Sequence, residues 1–224
     1  MKKKRPLWLL LFFAVLALYA AGAEENGFIS YMEGEVTVSR QGGLIPAEIG
    51  TALSAGDAVS TGPDALAILS LAGRGEVKLR ESTEMYIDSL GTRTAVTLQS
   101  GGIFSRIRKL FGSEEYEVMT PSMVAGVRGT EFFVAYGRKI EDEYDVWLCV
   151  NDGAVEVALP EVGSSAVVEE GEGINILGGN RLTEPKFYPW TEKLNWNMEP
   201  EKGDVRDTTD LDEAYADLLD QDYD

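Results

Sequence analysis

The glycines and the arginine in MVAGVRGTEFFVAY, residues 123–136, are the first residues whose types and spacing suggest chemistry. Backbone N–H groups at successive glycines can converge on an anion, and a neighbouring arginine would add charge. Such cradles ordinarily lead into a helix N-terminus. Here EFFVAY follows, an aromatic and β-branched run with no helical period. Gly126 and Gly129 are therefore expected to serve a bulge or sharp bend between two strands. Thr130 is expected to hydrogen-bond the turn backbone through its hydroxyl. Arg128 is expected to span the bend and give its planar fork to carbonyl oxygens or a carboxylate. Ligand binding by this loop is the alternative.

Other reactive constellations are few. The 224 residues contain no histidine, which excludes Ser-His-Asp and Cys-His catalysis and histidine-based zinc sites. No P-loop, GxGxxG or GxSxG string occurs. A glycosidase needs two carboxylates at a set separation, and no pair is seen to converge among the 38 acids. Glu141, Asp142, Glu143 and Asp145 crowd into IEDEYD but lack the spacing of a calcium loop, so a charged turn is expected and no metal or cofactor. The one cysteine, Cys149 in DVWLCV, reads as a small buried apolar group. Tyr136, Trp147 and Trp190 are candidate sugar platforms. Arg106, Arg108 and Lys109 in FSRIRKLF form the one basic cluster, a candidate contact for an acidic partner or for the chain's own tail. The plainer reading is a solvated hairpin end with Ile107, Leu110 and Phe111 packed inward.

The elements that position these residues are short strands. Alternating runs of five to seven residues, punctuated by glycine-rich turns, predict an all-β fold over residues 27–180. The expected architecture is a single antiparallel-rich sandwich or roll. A chain of that length buries enough surface for one core without disulfides or metal. VNDGAVEV predicts a hairpin turning at Asp152-Gly153, with Val146, Leu148 and Val150 facing inward opposite Val155 and Val157. Residues 181–224 read as an irregular acidic extension, in which Trp190 and Trp196 pack back on the β domain. Asp210 and Glu213 have capping-box spacing, and Leu211, Ala214, Tyr215, Leu218 and Leu219 fall on one face of a short terminal helix. Leu211, Tyr215 and Leu218 on that face are candidate partner contacts; a solvated acidic tail is the plainer alternative.

Charge and leader set the compartment. Lys2, Lys3, Lys4 and Arg5 precede a continuous apolar run that ends in AGA at Ala21–Ala23. This is the pattern of a secretory signal peptide, residues 1–23. An uncleaved anchor is the alternative. Removing the leader leaves 16 bases against 38 acids, a net charge of −22. Such a surface repels nucleic acid. The protein is expected to be periplasmic or secreted, with no transmembrane segment once the leader is cleaved.

The stretch VMTPSMVAGVRGTEFFVAY resembles the signature of the FecR domain, a periplasmic module named after an iron-dicitrate sensor. The pattern there is Thr-Pro, an apolar strand, then Arg-Gly-Thr and an aromatic. Thr120-Pro121, Arg128-Gly129-Thr130 and Phe132 match it. Upstream, GTALSAGDAVSTG resembles the family through Gly50, Leu53, Gly56, Asp57, Val59, Thr61 and Gly62. Leu98, Gly101 and Ile103 match a third motif, and VNDGAVEV resembles the closing one, so the likeness covers about residues 34–157. The resemblance implies an all-β extracytoplasmic domain for sensing, binding or signalling, with no catalytic residues. Sensors of this type act on a sigma factor through a cytoplasmic segment ahead of a membrane helix. Only Met1–Arg5 precede the apolar run here, so the domain is expected without that segment. The resulting expectation is an exported, non-enzymatic binding, scaffolding or signalling module of the cell envelope, its partner a protein or an envelope polymer. A carbohydrate- or small-ligand-binding sensory module is the alternative, and a carboxylate-based hydrolase stands behind both.

Overall fold

The computed structural model describes residues 27–71, 73–140 and 143–214. The expected leader, Glu141, Asp142, and the tail residues Tyr215 and Leu218 lie outside them. Alternating apolar residues, β-branched or aromatic in most positions, produce the strands, because one face of each can then be buried. The first nine are β1 (Gly27–Glu33), β2 (Val36–Arg40), β3 (Gly43–Pro46), β4 (Ala52–Leu53), β5 (Ala58–Thr61), β6 (Leu66–Leu71), β7 (Gly75–Leu79), β8 (Glu84–Ser89) and β9 (Arg93–Ile107). The rest are β10 (Glu115–Met119), β11 (Val124–Val127), β12 (Glu131–Ile140), β13 (Glu143–Asp152), β14 (Ala154–Leu159), β15 (Ser164–Glu169), β16 (Glu172–Leu177), β17 (Arg181–Leu182) and β18 (Lys186–Phe187).

Their pairing resolves into two layers. The first runs β4–β1–β6–β7–β9–β12–β13–β16, with β17 and β18 beyond β16. The second runs β3–β2–β5–β8–β9–β10–β11–β14–β15. Only β9–β10 is parallel among these pairs. β9 serves both layers: residues 93–100 pair in the second and residues 101–107 in the first. It bends at Gly101-Gly102 and continues into the other layer. Elsewhere the chain mixes hairpins within a layer with corners between layers, crossing three times in succession from β3 to β6. Among the described residues no helix is long and apolar enough to cross a membrane.

The expected hairpin at Asp152-Gly153 is one of those corners. β13 pairs with β12 and β16 in the first layer, whereas β14 pairs with β11 and β15 in the second. The inward alternation nevertheless holds through the corner: Val146, Leu148, Val150, Val155 and Val157 all lie in the core between the layers. Full burial of each such side chain contributes roughly 1.5–3 kcal/mol.

A second apolar cluster lies on the outer face of the first layer. Phe104, Phe133, Trp147 and Cys149 project there and are covered by Tyr188, Trp190, Leu194, Met198, Val205 and Ala214. The rings form a chain, Trp196–Phe104–Phe133–Trp147–Tyr188, with centroids 4.6–5.4 Å apart. We call the covering segment, residues 186–214, the strap. It contains short 3₁₀ turns at Pro189–Glu192 and Pro200–Lys202 and a turn of α-helix at residues 211–214. The Asp210 carboxylate caps that turn, accepting the amides of Asp212 at 2.9 Å and Glu213 at 3.2 Å.

Candidate partner-binding surface at the signature corner

Two corners meet at the Arg-Gly-Thr motif. The chain leaves the second layer at Val127 and enters the first at Glu131, then returns at Asp152-Gly153. Gly129 has φ +78° and Gly153 φ +85°, conformations that glycine adopts at no steric cost. A Cβ on Gly153 would lie 2.9 Å from the Gly129 carbonyl oxygen. The Thr130 hydroxyl donates to the Ala154 carbonyl at 3.0 Å and so ties one corner to the other. Thr130 is thus bonded across to β14 rather than within its own turn.

Gly126 does not make the bend. It sits inside β11, paired with Glu117 on one side and Glu156 on the other, on the outward face of the second layer. Open space lies where its Cβ would be. Arg128 does not bridge the bend either: it is exposed and makes no hydrogen bond or ion pair among the described residues. Phe132 is fully buried in the core between the layers.

The upstream motif is also architectural. Asp57 is 1% exposed, and its carboxylate accepts both arms of Arg40, at 2.8 and 2.7 Å, plus the Ser54 amide at 2.8 Å. Burial pushes the Asp57 carboxyl up, but these hydrogen bonds and the Arg40 charge outweigh it and hold the group below the ordinary carboxylate range. The Thr61 hydroxyl donates to the Arg80 carbonyl at 2.5 Å and accepts the Thr83 amide at 3.0 Å. The amide of Gly56 bonds the Ile87 carbonyl at 2.7 Å, and that of Gly62 bonds the Glu35 carbonyl at 2.9 Å.

The basic cluster divides. Arg106 is engaged internally, with Nε on the Glu131 carboxylate at 2.7 Å, Nη2 on the Trp196 carbonyl at 2.9 Å and Nη1 3.7 Å from Glu199. It therefore anchors the strap rather than presenting itself to a partner. Arg108 and Lys109 are exposed and, like Arg128, have no side-chain partner among the described residues. Leu110 is buried, while Phe111 is 71% exposed rather than packed inward. Leu211 packs partly buried against the outer cluster. Trp147 and Trp190 are buried as well, which removes two of the three candidate sugar platforms. Asp145 is 2% exposed and accepts the Gly178 amide at 2.9 Å.

Sequence reasoning missed Lys78 and Arg80. In EVKLR they alternate with inward Val77 and Leu79, so they read as solvent-facing, yet the strap covers them. The Lys78 amine donates to three strap carbonyls, Asn195 at 2.5 Å, Asn197 at 2.9 Å and Val205 at 3.0 Å. It also lies 4.3 Å from the centroid of the Phe104 ring. Burial pushes this amine down to about 8. Arg80 donates to the Thr209 carbonyl at 2.8 Å and pairs with buried Asp207 at 3.1 Å. The Asn195 and Asn197 side chains close the loop by donating to Asp204, Arg206 and Gly203 carbonyls. Arg206 fastens the edge to Glu33 at 2.8 Å. A cleft of about 520 Å³ opens between Arg80, Glu81 and the strap. Most of its charged walls are already engaged: Asp207 holds Arg80, Asp210 caps the helical turn and Glu81 accepts the Asp64 amide. Burial also pushes the Cys149 thiol up to about 12, which leaves it inert at neutral pH.

The family model described as FecR protein matches residues 57–156. Two crystal structures of a candidate anti-sigma factor from Parabacteroides distasonis ATCC 8503, at 2.50 and 1.65 Å resolution, are similar at 21% identity and a TM-score of 0.49. The alignment covers 58% of this chain and 59% of theirs, so the chain spans less than two thirds of their length. No curated protein matches the chain. The matched region runs from Asp57, whose carboxylate holds Arg40, through Thr130 and the paired corners to Glu156 in β14. This chain carries a FecR domain across residues 57–156.

Proposed function

We propose that this chain is an exported, non-enzymatic module of the cell envelope that regulates by binding a protein. The FecR match over residues 57–156 carries the reading. The fold supports it, because the side chains of the matched motifs are engaged in holding corners together. Asp57, Thr61 and Thr130 each bond within the structure, and Cys149 is buried. What the module offers to others is surface. The leader read in residues 1–23 would deliver it outside the cytoplasm.

The test uses the full chain expressed in a bacterial host. N-terminal sequencing of the exported protein should begin at Glu24. A photo-crosslinking residue placed at exposed positions on both layers should capture an envelope protein, seen as a protease-sensitive adduct. An unprocessed chain confined to the cytoplasm would overturn the export reading. Adducts with glycan alone would overturn the protein-binding one.

A further inference from the structure

Among the described residues most cations have partners. Arg40 holds Asp57, Arg74 holds Glu114, Arg80 holds Asp207, Arg93 holds Glu117, Arg106 holds Glu131 and Arg206 holds Glu33. Three of the exceptions lie together, while a further one, Arg181, is on β17. Ile107 and Thr130 exchange backbone hydrogen bonds at 2.9 and 3.1 Å, which places residues 108–109 beside residues 128–129. The contact is close: a Cβ on Gly129 would lie 3.0 Å from the Lys109 Cα. Arg108, Lys109 and Arg128 are thus exposed neighbours on one end of the molecule, without ion pairs among the described residues. Carboxylates lie nearby without pairing: Arg128 lines a hollow with Glu115, Glu117 and Glu156, and is within ion-pair distance of none of them. Glu131 accepts Arg106 and Asn151, and Glu114 accepts Arg74 and the Phe111 amide. Asp152, on the adjoining corner, stays beyond ion-pair distance.

With 38 acids against 20 bases, internal pairing of every cation was available to this chain. Three adjacent cations nevertheless have no ion pair among the described residues, next to a Phe111 ring that is 71% exposed. We propose that this corner binds an acidic segment of a protein partner, one that brings an apolar or aromatic side chain to Phe111. Charge complementarity supplies register, and the ring supplies apolar area. The net negative charge of the whole protein does not prevent this. At about 0.15 M ionic strength the Debye length is about 8 Å, so a docked segment feels the three cations and the few carboxylates beside Arg128, and not the distant acids.

The proposal rests on the binding-module reading and deepens it. Its test measures binding of a fluorescent glutamate–tyrosine copolymer to the full chain at about 0.15 M salt. The wild type should bind. The triple variant Arg108→Glu, Lys109→Glu, Arg128→Glu should weaken binding at least tenfold while melting as the wild type does, since all three side chains are exposed. Reversal of Arg93, which is exposed but paired, should leave binding unchanged, and Arg108→Lys with Arg128→Lys should retain it. Phe111→Ser alone should weaken binding severalfold. Undiminished binding by the triple variant would overturn the proposal. So would capture of phosphatidylglycerol vesicles or duplex DNA through the same three cations in place of the copolymer. Cross-links to an envelope protein through another face, with the corner variants binding it normally, would overturn the corner and leave the module reading standing. Copolymer held by the three cations, with no envelope protein captured, would support the corner and count against the module.

Discussion

Lys78 provides the most direct test of how the strap is held. Its amine is stripped of water and moves from an ordinary pKa of 10.5 to about 8. At about 1.4 kcal/mol per pKa unit, keeping it charged at neutral pH costs about 3 kcal/mol relative to the hydrated amine of the unfolded chain. That cost is what remains after the three carbonyls and the Phe104 face have offset part of the desolvation. The sign follows from which state loses the proton first. Above pH 8 the folded chain releases it, while the unfolded chain holds it until about 10.5. Raising the pH from 7 to 9 should therefore stabilise the fold by about 1.3 kcal/mol through this group alone. Cys149 opposes the gain only from about pH 9, where the unfolded thiol ionises and the folded one does not, and subtracts about 0.4 kcal/mol there. The variant Lys78→Met keeps the stem and removes the proton. It leaves the Asn195, Asn197 and Val205 carbonyls unpaired and should destabilise by about 1–3 kcal/mol at pH 7. Urea unfolding followed by tryptophan fluorescence at pH 7, 8 and 9 reads both effects, since Trp196 and Trp147 sit in the covered aromatic chain. The wild type should gain on the variant as the pH rises. Parallel profiles for the two proteins would refute the claim that the strap strips this amine of water.

Two further outcomes follow from the corners. Gly153→Ala puts a side chain at φ +85° and 2.9 Å from the Gly129 carbonyl oxygen. Strain and displacement should together cost about 2–4 kcal/mol, read as a lower melting temperature; an unchanged melt would mean that the two corners do not pack. Asp57→Asn breaks the two-armed Arg40 contact and should cost about 1.5–3 kcal/mol near neutrality. Because the Asp57 carboxyl is held below its ordinary 3.8, its contribution is present above that pH and lost as the pH falls further. The gap between wild type and Asp57→Asn should therefore close in acid, and a gap that widens there would contradict the assignment.

Strands were legible in the sequence because period-2 alternation is a direct consequence of burying one face. Corners were not. Asp152-Gly153 has the backbone requirement of a type I′ hairpin, and a crossing between layers needs the same positive φ. Alternation cannot separate the two, since Val150 and Val155 face the core in either case. Gly101-Gly102 misleads in the opposite direction: paired glycines have the composition of a turn, but β9 bends there and continues into the other layer. What distinguishes a corner from a hairpin is the partner of the next strand, a contact 20 or more residues away in β11 or β16.

The outer cluster left a different kind of trace. EFFVA and VWLCV are nearly continuous apolar runs, as expected of strands buried on both faces. Phe133, Trp147 and Cys149 occupy positions that a one-sided sandwich would make polar, and Trp190 and Trp196 lie in a segment with too few strands to hide them. Those observations together imply that the tail covers the first layer. The anchors remained hidden because Lys78 and Arg80 bond to backbone carbonyls, which every residue has and no motif records. The same reasoning explains why the free cations at the Arg128 corner were only half visible. Arg106, Arg108 and Lys109 look equivalent in FSRIRKLF, yet alternation turns Arg106 toward Glu131 and the strap, while the two that follow fall past the end of β9. Their meeting with Arg128 depends on the Ile107–Thr130 pairing, a long-range contact. The docking surface is a product of the corner itself and not of any contiguous stretch of sequence.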